Sequence, residues 1–451
     1  MKNLYQKAPG SFVRYERRRD IQFFLQAILA IVFVLIVCGV LAFALSAIFW
    51  AVIDSWDAFH DGVLSEKNSP IHNHFFKSHN SNKPSACKKR LVGFFTENES
   101  LDNLEFQMEK LTHAVFSFNE ITWDGSVRFK SEQLKNRYLK LRNVSESVKN
   151  DVKMMVSIGG HGNSQFFTTL TANEVNRGKF TDSIIGFLQD YNLDGLDISW
   201  VHAAEGDKQN FVEFLKEIRT RFDGFSERKL LLSVTTPSAG IEGWENAYDI
   251  EAQKNYVDFF NVYSMDYNGP WPNQWGTPTG PMAPLYHGIG LRKNFNVDWT
   301  MKYYVCLAMD PTKFNIILPT FVRLWRNVEE PVEPRISLAV RNAVLKNGMA
   351  EGIAVMSRTD AEEQLWDLKN NITWDDKFKS SYIYDPIDKT YLTFEDTRSV
   401  EEKVKYVNSH NLGGLWIWFV DMDDEKSSVL NSVYTDELCS RSSENVMKYN
   451  C

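Results

Sequence analysis

The distribution of apolar residues divides the chain into two parts. The stretch Ile21–Ile53 is dominated by Phe, Leu, Ile, Val and Ala and contains no charged side chain. A bilayer core needs about 20 apolar residues in helical form, so we predict a transmembrane signal-anchor helix at 21–53. A buried soluble helix and a cleaved signal peptide are the alternatives. The run is longer than the apolar core of a signal peptide and continues through Trp50, which favours an uncleaved anchor.

The charges that flank this run predict its orientation. Residues 1–20 are rich in Lys and Arg, whereas the first charged residues after the run are acidic. Cytoplasmic flanks of membrane helices are enriched in basic residues. We therefore expect a cytoplasmic tail at 1–20 and a single-pass type II membrane protein whose remaining chain is luminal or extracellular. Three N-glycosylation sequons are compatible with that side of the membrane; they lie at Asn98, Asn143 and Asn371.

A polar segment separates the anchor from the folded part. Residues 54–86 mix Ser, Asn, His, Lys and Pro with little periodicity, which predicts a stem or linker. The folded domain is predicted at 87–438, with a C-terminal tail at 439–451. In an oxidising compartment four cysteines allow up to two disulfides: Cys87, Cys306, Cys439 and Cys451. Cys87 and Cys439 lie near the domain ends and could close it, but the sequence does not fix the pairing.

After Cys87, short apolar runs alternate with amphipathic segments. Continuous runs of β-branched and aromatic residues are typical of strands that are buried on both faces. Eight such runs are predicted to be strands: Arg90–Phe95, His113–Phe118, Val152–Gly160, Leu193–Trp200, Lys229–Thr236, Val257–Asp266, Phe314–Phe321 and Leu412–Val420. This alternation predicts an α/β fold of the (β/α)8 TIM-barrel class. The interval Leu324–Ser399 is too long for a loop and predicts an inserted subdomain. A doubly wound open sheet is the rival architecture.

Composition and charge narrow the functional classes. The chain has 451 residues, 50 Lys and Arg against 58 Asp and Glu, and a formal net charge of −8. A nucleic-acid-binding protein usually has a basic excess, so no nucleic-acid partner is expected. The sequence contains no zinc-ligand spacing, phosphate-binding loop, nucleotide fingerprint or nucleophile elbow. We therefore predict neither a metal nor a cofactor.

The segment Leu193–Val201, with the sequence LDGLDISWV, resembles the fourth-strand signature Asp-x-x-Asp-x-Asp-x-Glu of family 18 glycoside hydrolases, the chitinases. Further segments resemble that family in the family's order. They are LTHAVFSF (Leu111–Phe118), SIGG (Ser157–Gly160), NVYSMDYNGPW (Asn261–Trp271), APLY (Ala283–Tyr286), ILPTFVRLW and LGGLWIWFVDMDD (Leu412–Asp424). The resemblance covers about Lys88 to Leu430 and implies a TIM barrel that acts on, or binds, chitin.

The resemblance also implies a chemistry that this sequence lacks. In the family a Glu protonates the leaving oxygen, while the acetamido group of the sugar attacks the anomeric carbon; a neighbouring Asp and a Tyr assist. Matched to the motif, the Glu position is Val201, the assisting Asp position is Ser199 and the Tyr position is Met265. Asp194 and Asp197 retain the motif residues. They either keep the frame of the site or serve only barrel packing.

The residues that the resemblance assigns to sugar contacts are retained better than the catalytic ones. Trp418 corresponds to the residue beneath the central sugar subsite in the family. The other ligand-binding candidates are Asp266, Phe118 and Trp271. For Trp418, a role in filling the core of the barrel is an equal alternative to a role in sugar binding. Glu205 could replace the missing acid only if its loop folds over the cleft, and strand alternation directs His202 away from residues 197, 199 and 201.

These observations lead to one expectation and two alternatives. We expect a membrane-anchored chitinase-like protein, resembling the chitinase-like sets of nematodes, that binds chitin or N-acetylglucosamine oligosaccharides without cleaving them. The first alternative is a structural or protein-interaction role for the barrel, without a sugar ligand. The absence of Tyr at Met265 and at Phe321, where the family often has it, weakens polar sugar contacts and favours this alternative slightly. The second is a weak chitin hydrolase.

Overall fold

The structure is a computed structural model that describes residues 89–149, 151–225, 228–288, 290–331, 340–365, 372–434, 438 and 446–451. The predicted tail at 1–20, anchor at 21–53 and linker at 54–86 lie outside these residues, as do Cys87, Asn371 and Cys439. Within the described ranges no helix combines the length and apolar character that crossing a membrane requires.

Eight parallel strands close into a barrel, which confirms the predicted fold class. The barrel strands are β1 (Arg90–Phe95), β2 (His113–Ile121), β4 (Lys153–Gly159), β5 (Gly195–Ser199), β6 (Leu231–Thr236), β7 (Phe259–Val262), β8 (Phe314–Pro319) and β18 (Gly414–Trp418). The strand order is β1-β18-β8-β7-β6-β5-β4-β2, and β2 pairs with β1 to close the circle. The short strand β3 (Val127–Arg128) pairs antiparallel with the end of β2. Seven of the eight predicted runs contain a barrel strand in full, and the run His113–Phe118 covers the first six residues of β2. The closed ring excludes the open sheet.

Helices of very different length connect the strands. They are α1 (Leu104–Met108), α2 (Glu132–Ser147), α3 (Phe167–Thr171), α4 (Glu174–Asp190), α5 (Lys208–Asp223), α6 (Ile250–Gln253), α7 (Val297–Ala308), α8 (Arg358–Leu365), α9 (Thr397–Ser409) and α10 (Ser428–Val433). Helix α5 illustrates their packing, because Phe211, Phe214, Leu215 and Ile218 recur at helical spacing and are all buried.

The predicted insertion is present between β8 and α9. It contains β9 (Val322–Trp325), β10 (Val328–Pro331), β11 (Arg341–Ala343), β12 (Leu345–Lys346), β13 (Met349–Ala350), β14 (Gly352–Met356), β15 (Ile372–Asp375), β16 (Ser380–Asp385) and β17 (Thr390–Phe394). Five of these strands form an antiparallel sheet in the order β14-β9-β17-β16-β15. The insertion has its own apolar clusters, one of which is built around Trp325 and Tyr391.

The alternation of side chains along the strands separates two apolar cores. In β1, Leu91 and Phe95 join the large cluster that includes the helices, whereas Val92 and Phe94 belong to a smaller cluster with Trp416. Successive side chains of a strand point to opposite faces. The smaller cluster therefore fills the barrel interior.

The chain end is bonded to the barrel. Cys451 forms a disulfide with Cys306 of α7, and the Tyr449 hydroxyl lies 2.7 Å from that of Tyr406 in α9. The predicted tail thus contains residues that pack on the helices. The disulfide is one of the pairings that the sequence left open.

His113, at the amino end of β2, gives a prediction on pH. Its ring packs edge-on against Phe259 at 5.3 Å, and burial, followed by the charge of Arg90, lowers its pKa to about 3. The unfolded chain binds a proton at His113 below about pH 6.5, but the folded chain does not. Stability is therefore lost as the pH falls below that value. We expect the wild type to lose about 1–2 kcal/mol more than His113→Gln between about pH 7.5 and about pH 4.5.

Thermal melts of both proteins at the two pH values measure this difference. Equal falls in Tm for wild type and His113→Gln would show that His113 takes up its proton equally well in the folded and unfolded states.

Candidate functional site

Asp197 lies inside the barrel on β5 and is held by neutral donors. Its Oδ1 accepts hydrogen bonds from Ser233 Oγ at 2.6 Å and Asn261 Nδ2 at 3.2 Å. Its Oδ2 accepts from Ser157 Oγ at 2.8 Å and Thr235 Oγ1 at 3.0 Å. Burial raises the pKa of Asp197, and the four donated bonds oppose that rise. The fully buried carboxyl is thus satisfied without a neighbouring cation.

A chain of amides continues from Asp197 toward the amino end of the barrel. Asn315 Nδ2 donates to Asn261 Oδ1 at 3.0 Å, and Arg90 Nε donates to Asn315 Oδ1 at 3.0 Å. Through Asn261 and Asn315, hydrogen bonds thus link the carboxyl on β5 to the partly buried guanidinium of Arg90 on β1. The network gives Asp197 a structural role within the barrel, whatever its role toward a ligand.

Asp194 lies apart from the other predicted site residues. It precedes β5, so it is at the amino end of the strand, where its Oδ2 accepts from the backbone N–H of Met154 at 2.8 Å. Arg142 and Arg228 lie 3.7 and 3.9 Å from its carboxylate oxygens. In TIM barrels the ligand site lies at the carboxyl ends of the strands. The position of Asp194 therefore fits the packing role that the sequence left open.

Ser199 and Val201 are at the carboxyl end of β5. The Ser199 carbonyl accepts hydrogen bonds from Gly160 N at 2.8 Å and Ser164 Oγ at 3.1 Å, and Ser199 is buried. Val201 is only partly buried, and its N–H donates to the same Ser164 hydroxyl at 3.0 Å. A valine side chain carries no titratable group, so Val201 cannot transfer a proton here.

Two polar side chains that follow Val201 point elsewhere. Glu205 is exposed in a short 3-10 turn, Glu205–Asp207. The His202 ring contacts Trp244 at 4.9 Å and His161 at 5.8 Å. Strand β5 ends at Ser199 and His202 has a φ of 59°, so strand alternation does not extend to His202. Its orientation follows from the turn.

Met265 and Asp266 follow β7 and have opposite characters. Met265 is fully buried in the apolar cluster of the barrel interior. Asp266 has a φ of 63°; its Oδ1 accepts from Arg323 at 2.5 Å and its Oδ2 from the Tyr263 hydroxyl at 2.8 Å. Both carboxylate oxygens therefore already have a partner within the protein.

Arg323 connects this carboxylate to the insertion. Its guanidinium is almost completely buried and lies over the ring of Trp271 at 4.5 Å and that of Phe321 at 5.3 Å. It also donates to the carbonyls of Asn268 and Ala354. The structure thus brings Trp271 and Asp266 together through Arg323, with Trp271 as a stacking partner of the arginine.

Aromatic rings converge at the carboxyl end of β18. The indole of Trp418 is half-buried and is in contact with the rings of Phe94, Phe118, Tyr263 and Phe419, with ring centroids 3.9 to 5.9 Å apart. The peptide bonds Ser117–Phe118 and Trp418–Phe419 are both cis. We call Trp418 and these four neighbours the aromatic cluster. The structure brings two predicted ligand contacts, Trp418 and Phe118, side by side at the carboxyl ends of the strands.

Sequence reasoning missed Tyr263 and Arg323. Both lie in segments that resemble the family, but neither was singled out. Arg323 is a lone basic residue inside an apolar run, ILPTFVRLW. A charge in such a run needs a buried partner, and that signal could have pointed to Asp266. No comparable signal identifies Tyr263.

Two of the three predicted glycosylation sites lie on exposed residues. Asn98 is exposed in the segment after β1, and Asn143 is exposed on α2. Among the described residues no group of three or more His, Cys, Asp or Glu side chains is arranged to hold a metal ion.

The fold is thus a closed TIM barrel with an insertion after its seventh strand and the aromatic cluster at the carboxyl ends of its strands. The chain belongs to the glycosyl hydrolases family 18, whose family model matches residues 90–423. Chitinase-3-like protein 2 of Homo sapiens is 26% identical over 351 residues, which are 74% of this chain and 87% of that protein. Probable chitinase 2 of Drosophila melanogaster is 26% identical over 342 residues, 71% of this chain and 67% of that protein.

Solved structures share the fold. The class V chitinase from Nicotiana tobaccum has a TM-score of 0.68 at 19% identity, covering 78% of this chain and 99% of that one. Human YKL-39, described as a pseudo-chitinase with retained chitooligosaccharide binding properties, has a TM-score of 0.66 at 24% identity, covering 78% of this chain and 100% of that one.

Proposed function

We propose that this chain is a membrane-anchored chitinase-like protein that binds oligosaccharides of N-acetylglucosamine without hydrolysing them. The observation that carries the proposal is the combination of a half-buried Trp418 inside the aromatic cluster with a valine at position 201. An aromatic face offers a platform for the apolar face of a sugar ring, and a valine offers no proton for the leaving oxygen.

Two further observations support a binding protein. Asp197 and its four donors keep β4, β5, β6 and β7 in register around the barrel centre. Human YKL-39 has the same fold and is described as a pseudo-chitinase with retained chitooligosaccharide binding properties. The proposal transfers that combination to this chain.

The alternative, a protein-interaction role without a sugar, has an observation in its favour. Both oxygens of Asp266 accept from Tyr263 and Arg323, and Met265 contributes no polar atom to the cleft. A sugar would therefore find fewer free polar partners near β7. Binding by stacking on the aromatic cluster does not need those partners, and this is why sugar binding remains the main proposal.

Trp418 provides the test of the sugar-binding proposal. We expect Trp418→Ala to weaken binding of N-acetylchitotetraose by roughly tenfold or more, because loss of a stacked aromatic ring costs at least about 1.4 kcal/mol. Trp418→Phe keeps a ring in the cluster and is the matched control, with an expected loss of roughly threefold. Isothermal titration calorimetry of the full chain in detergent measures both. Equal affinity of wild type and Trp418→Ala would favour the alternative role.

The proposed topology rests on the apolar run at 21–53 and the basic residues before it. The Cys306–Cys451 disulfide supports it, since disulfides persist in oxidising compartments. We expect the barrel to be protected when protease is added outside sealed microsomes, and to be digested once detergent opens them. Digestion of the barrel in intact microsomes would reverse the proposed orientation.

A further inference from the structure

Two exposed histidines lie where the loops after β4 and β5 meet. His161 follows β4 and His202 follows β5, so they are far apart in the sequence and no local spacing signals them. Their ring centroids are 5.8 Å apart, with an angle of 75° between the ring planes. Imidazole nitrogen is a preferred ligand of zinc, copper and nickel ions in proteins. The pair is therefore a candidate for metal binding.

Hydrogen bonds hold the two loops against each other. The backbone N–H of Gly160 and the hydroxyl of Ser164 both donate to the Ser199 carbonyl, at 2.8 and 3.1 Å. The same hydroxyl accepts from the backbone N–H of Val201 at 3.0 Å. The two histidines directly follow Gly160 and Val201 in the chain. Their backbone positions are thus held relative to each other before any ion binds, which lowers the entropic cost of binding.

The nitrogens of both rings are available to a ligand. In the part of the chain that the structure describes, His161 and His202 have no hydrogen-bond partner for their rings, which contact each other and, for His202, the ring of Trp244 at 4.9 Å. Two other histidines differ, because Nδ1 of His113 lies 2.8 Å from a threonine hydroxyl and Nδ1 of His410 lies 3.1 Å from a backbone carbonyl. A metal ion at the pair would displace no internal hydrogen bond.

The distance between the two rings suits a shared ion after a small movement of the side chains. A zinc–nitrogen bond is about 2.0–2.1 Å long, so two imidazoles on one tetrahedral ion have ring centroids about 5 Å apart. The observed separation of 5.8 Å differs from that value by only about 1 Å. Both side chains are exposed, so rotation about their side-chain bonds can turn the two ring edges toward a common point.

We propose that His161 and His202 together bind a divalent transition-metal ion, with Cu²⁺ bound more tightly than Ni²⁺ or Zn²⁺. Two protein ligands leave the remaining coordination positions to water or to a donor atom of another molecule. The site goes beyond the proposed function, because it needs neither a sugar nor the ring of Trp418.

Trp244 provides a local reporter for the test, since its ring contacts His202. A local signal is needed because the linker at 54–86 also contains histidines. The full chain in detergent is labelled with 5-fluorotryptophan, and the ¹⁹F signal of Trp244 is assigned from its loss in Trp244→Phe. We expect a saturable shift of this signal with Zn²⁺ and strong paramagnetic broadening with Cu²⁺. Mg²⁺, which prefers oxygen ligands, should cause neither change.

Histidine variants test whether the two rings act as a pair. We expect His161→Gln and His202→Gln each to weaken the Zn²⁺ binding that Trp244 reports by roughly tenfold or more, since loss of even an outer-shell group costs about 10–100-fold. His287→Gln removes another exposed histidine and is the matched control, with unchanged Zn²⁺ affinity. Melting curves establish that each variant is folded.

Three outcomes would overturn the metal site. The first is a Trp244 signal that neither Zn²⁺ nor Cu²⁺ changes. The second is equal Zn²⁺ affinity of the wild type and His161→Gln, which would show that the ion reported by Trp244 is not held by the pair. The third is a response to Mg²⁺ as large as that to Zn²⁺, which would exclude a site built from imidazole nitrogen. Sugar binding at Trp418 can succeed or fail independently of all three.

Discussion

We expect the full-length chain to cleave a fluorogenic chitobioside no faster than the background reaction. Cleavage of a glycosidic bond requires a proton on the leaving oxygen, and a general acid contributes roughly 10²–10⁴-fold. Val201 carries no proton to donate. Along the chain the carboxyls of Glu205 and Asp197 are equally near, four positions from Val201; that of Glu205 is exposed in a turn of its own. Asp197 is buried beneath the site and has a donor at each lone-pair position.

The assay compares the chain with an active chitinase of the family at equal concentration, across the pH range in which both are folded. A catalytically dead preparation of the reference enzyme defines the background. Turnover within tenfold of the active enzyme would contradict the proposal and would require a proton donor that is not positioned at Val201. Glu205→Gln would then identify whether the exposed turn supplies it.

The second large effect that we expect is a gain of hydrolytic activity in a designed variant. We expect the triple variant Ser199→Asp, Val201→Glu and Met265→Tyr to cleave chitobioside roughly 10²-fold faster than the wild type, still below a natural enzyme. The resemblance to the family assigns the general acid to position 201, the stabilising carboxylate to position 199 and the contact with the acetamido group to position 265. Each single substitution should have little effect, because catalytic groups that act together are strongly non-additive.

The structure shows where this variant will be strained. Ser199 and Met265 are buried, and Met265 packs in the apolar cluster of the barrel interior. A tyrosine there adds volume to a filled core, which typically costs about 1–3 kcal/mol. Melting curves of the triple variant must therefore accompany the kinetics.

The matched control replaces only the acid of the variant. This control is the triple variant Ser199→Asp, Val201→Gln and Met265→Tyr. It keeps the volume of the side chain at position 201 but removes its proton, so it should be inactive. A folded triple variant that binds N-acetylchitotetraose without cleaving it would show that β5 no longer places residue 201 at the scissile bond. Activity in both variants would show that position 201 is not the acid.

The fold could be predicted in detail because a buried parallel strand appears in the sequence as a continuous run of apolar residues. Runs such as Arg90–Phe95 coincide with the strand at both ends. The run Val257–Asp266 is longer than β7, Phe259–Val262, for a physical reason. Tyr263 and Met265 are apolar enough to extend the pattern, but β7 ends at Val262 and both side chains pack against the interior apolar cluster beyond the strand. Asp266, the last residue of the run, adopts a left-handed conformation that a strand does not contain.

The site could be predicted only in part. Positions in a motif, such as Asp197 and Trp418, were found because their spacing is local. The pairing of Arg323 with Asp266 joins β9 of the insertion to the segment after β7, and it depends on distances that the sequence does not contain. The same is true of Cys306 and Cys451, whose sequence separation is 145 and whose approach depends on how the C-terminal residues cross α7 and α9.

The most direct test of the proposed function follows one sugar in one sample. N-acetylchitotetraose is titrated into the full chain in detergent in a calorimeter, and the contents are then separated by chromatography after prolonged incubation. We expect saturable heat of binding and recovery of the intact tetrasaccharide. Recovery of shorter oligosaccharides would contradict the loss of hydrolysis, and an absence of binding heat at every temperature tested would contradict the sugar-binding role.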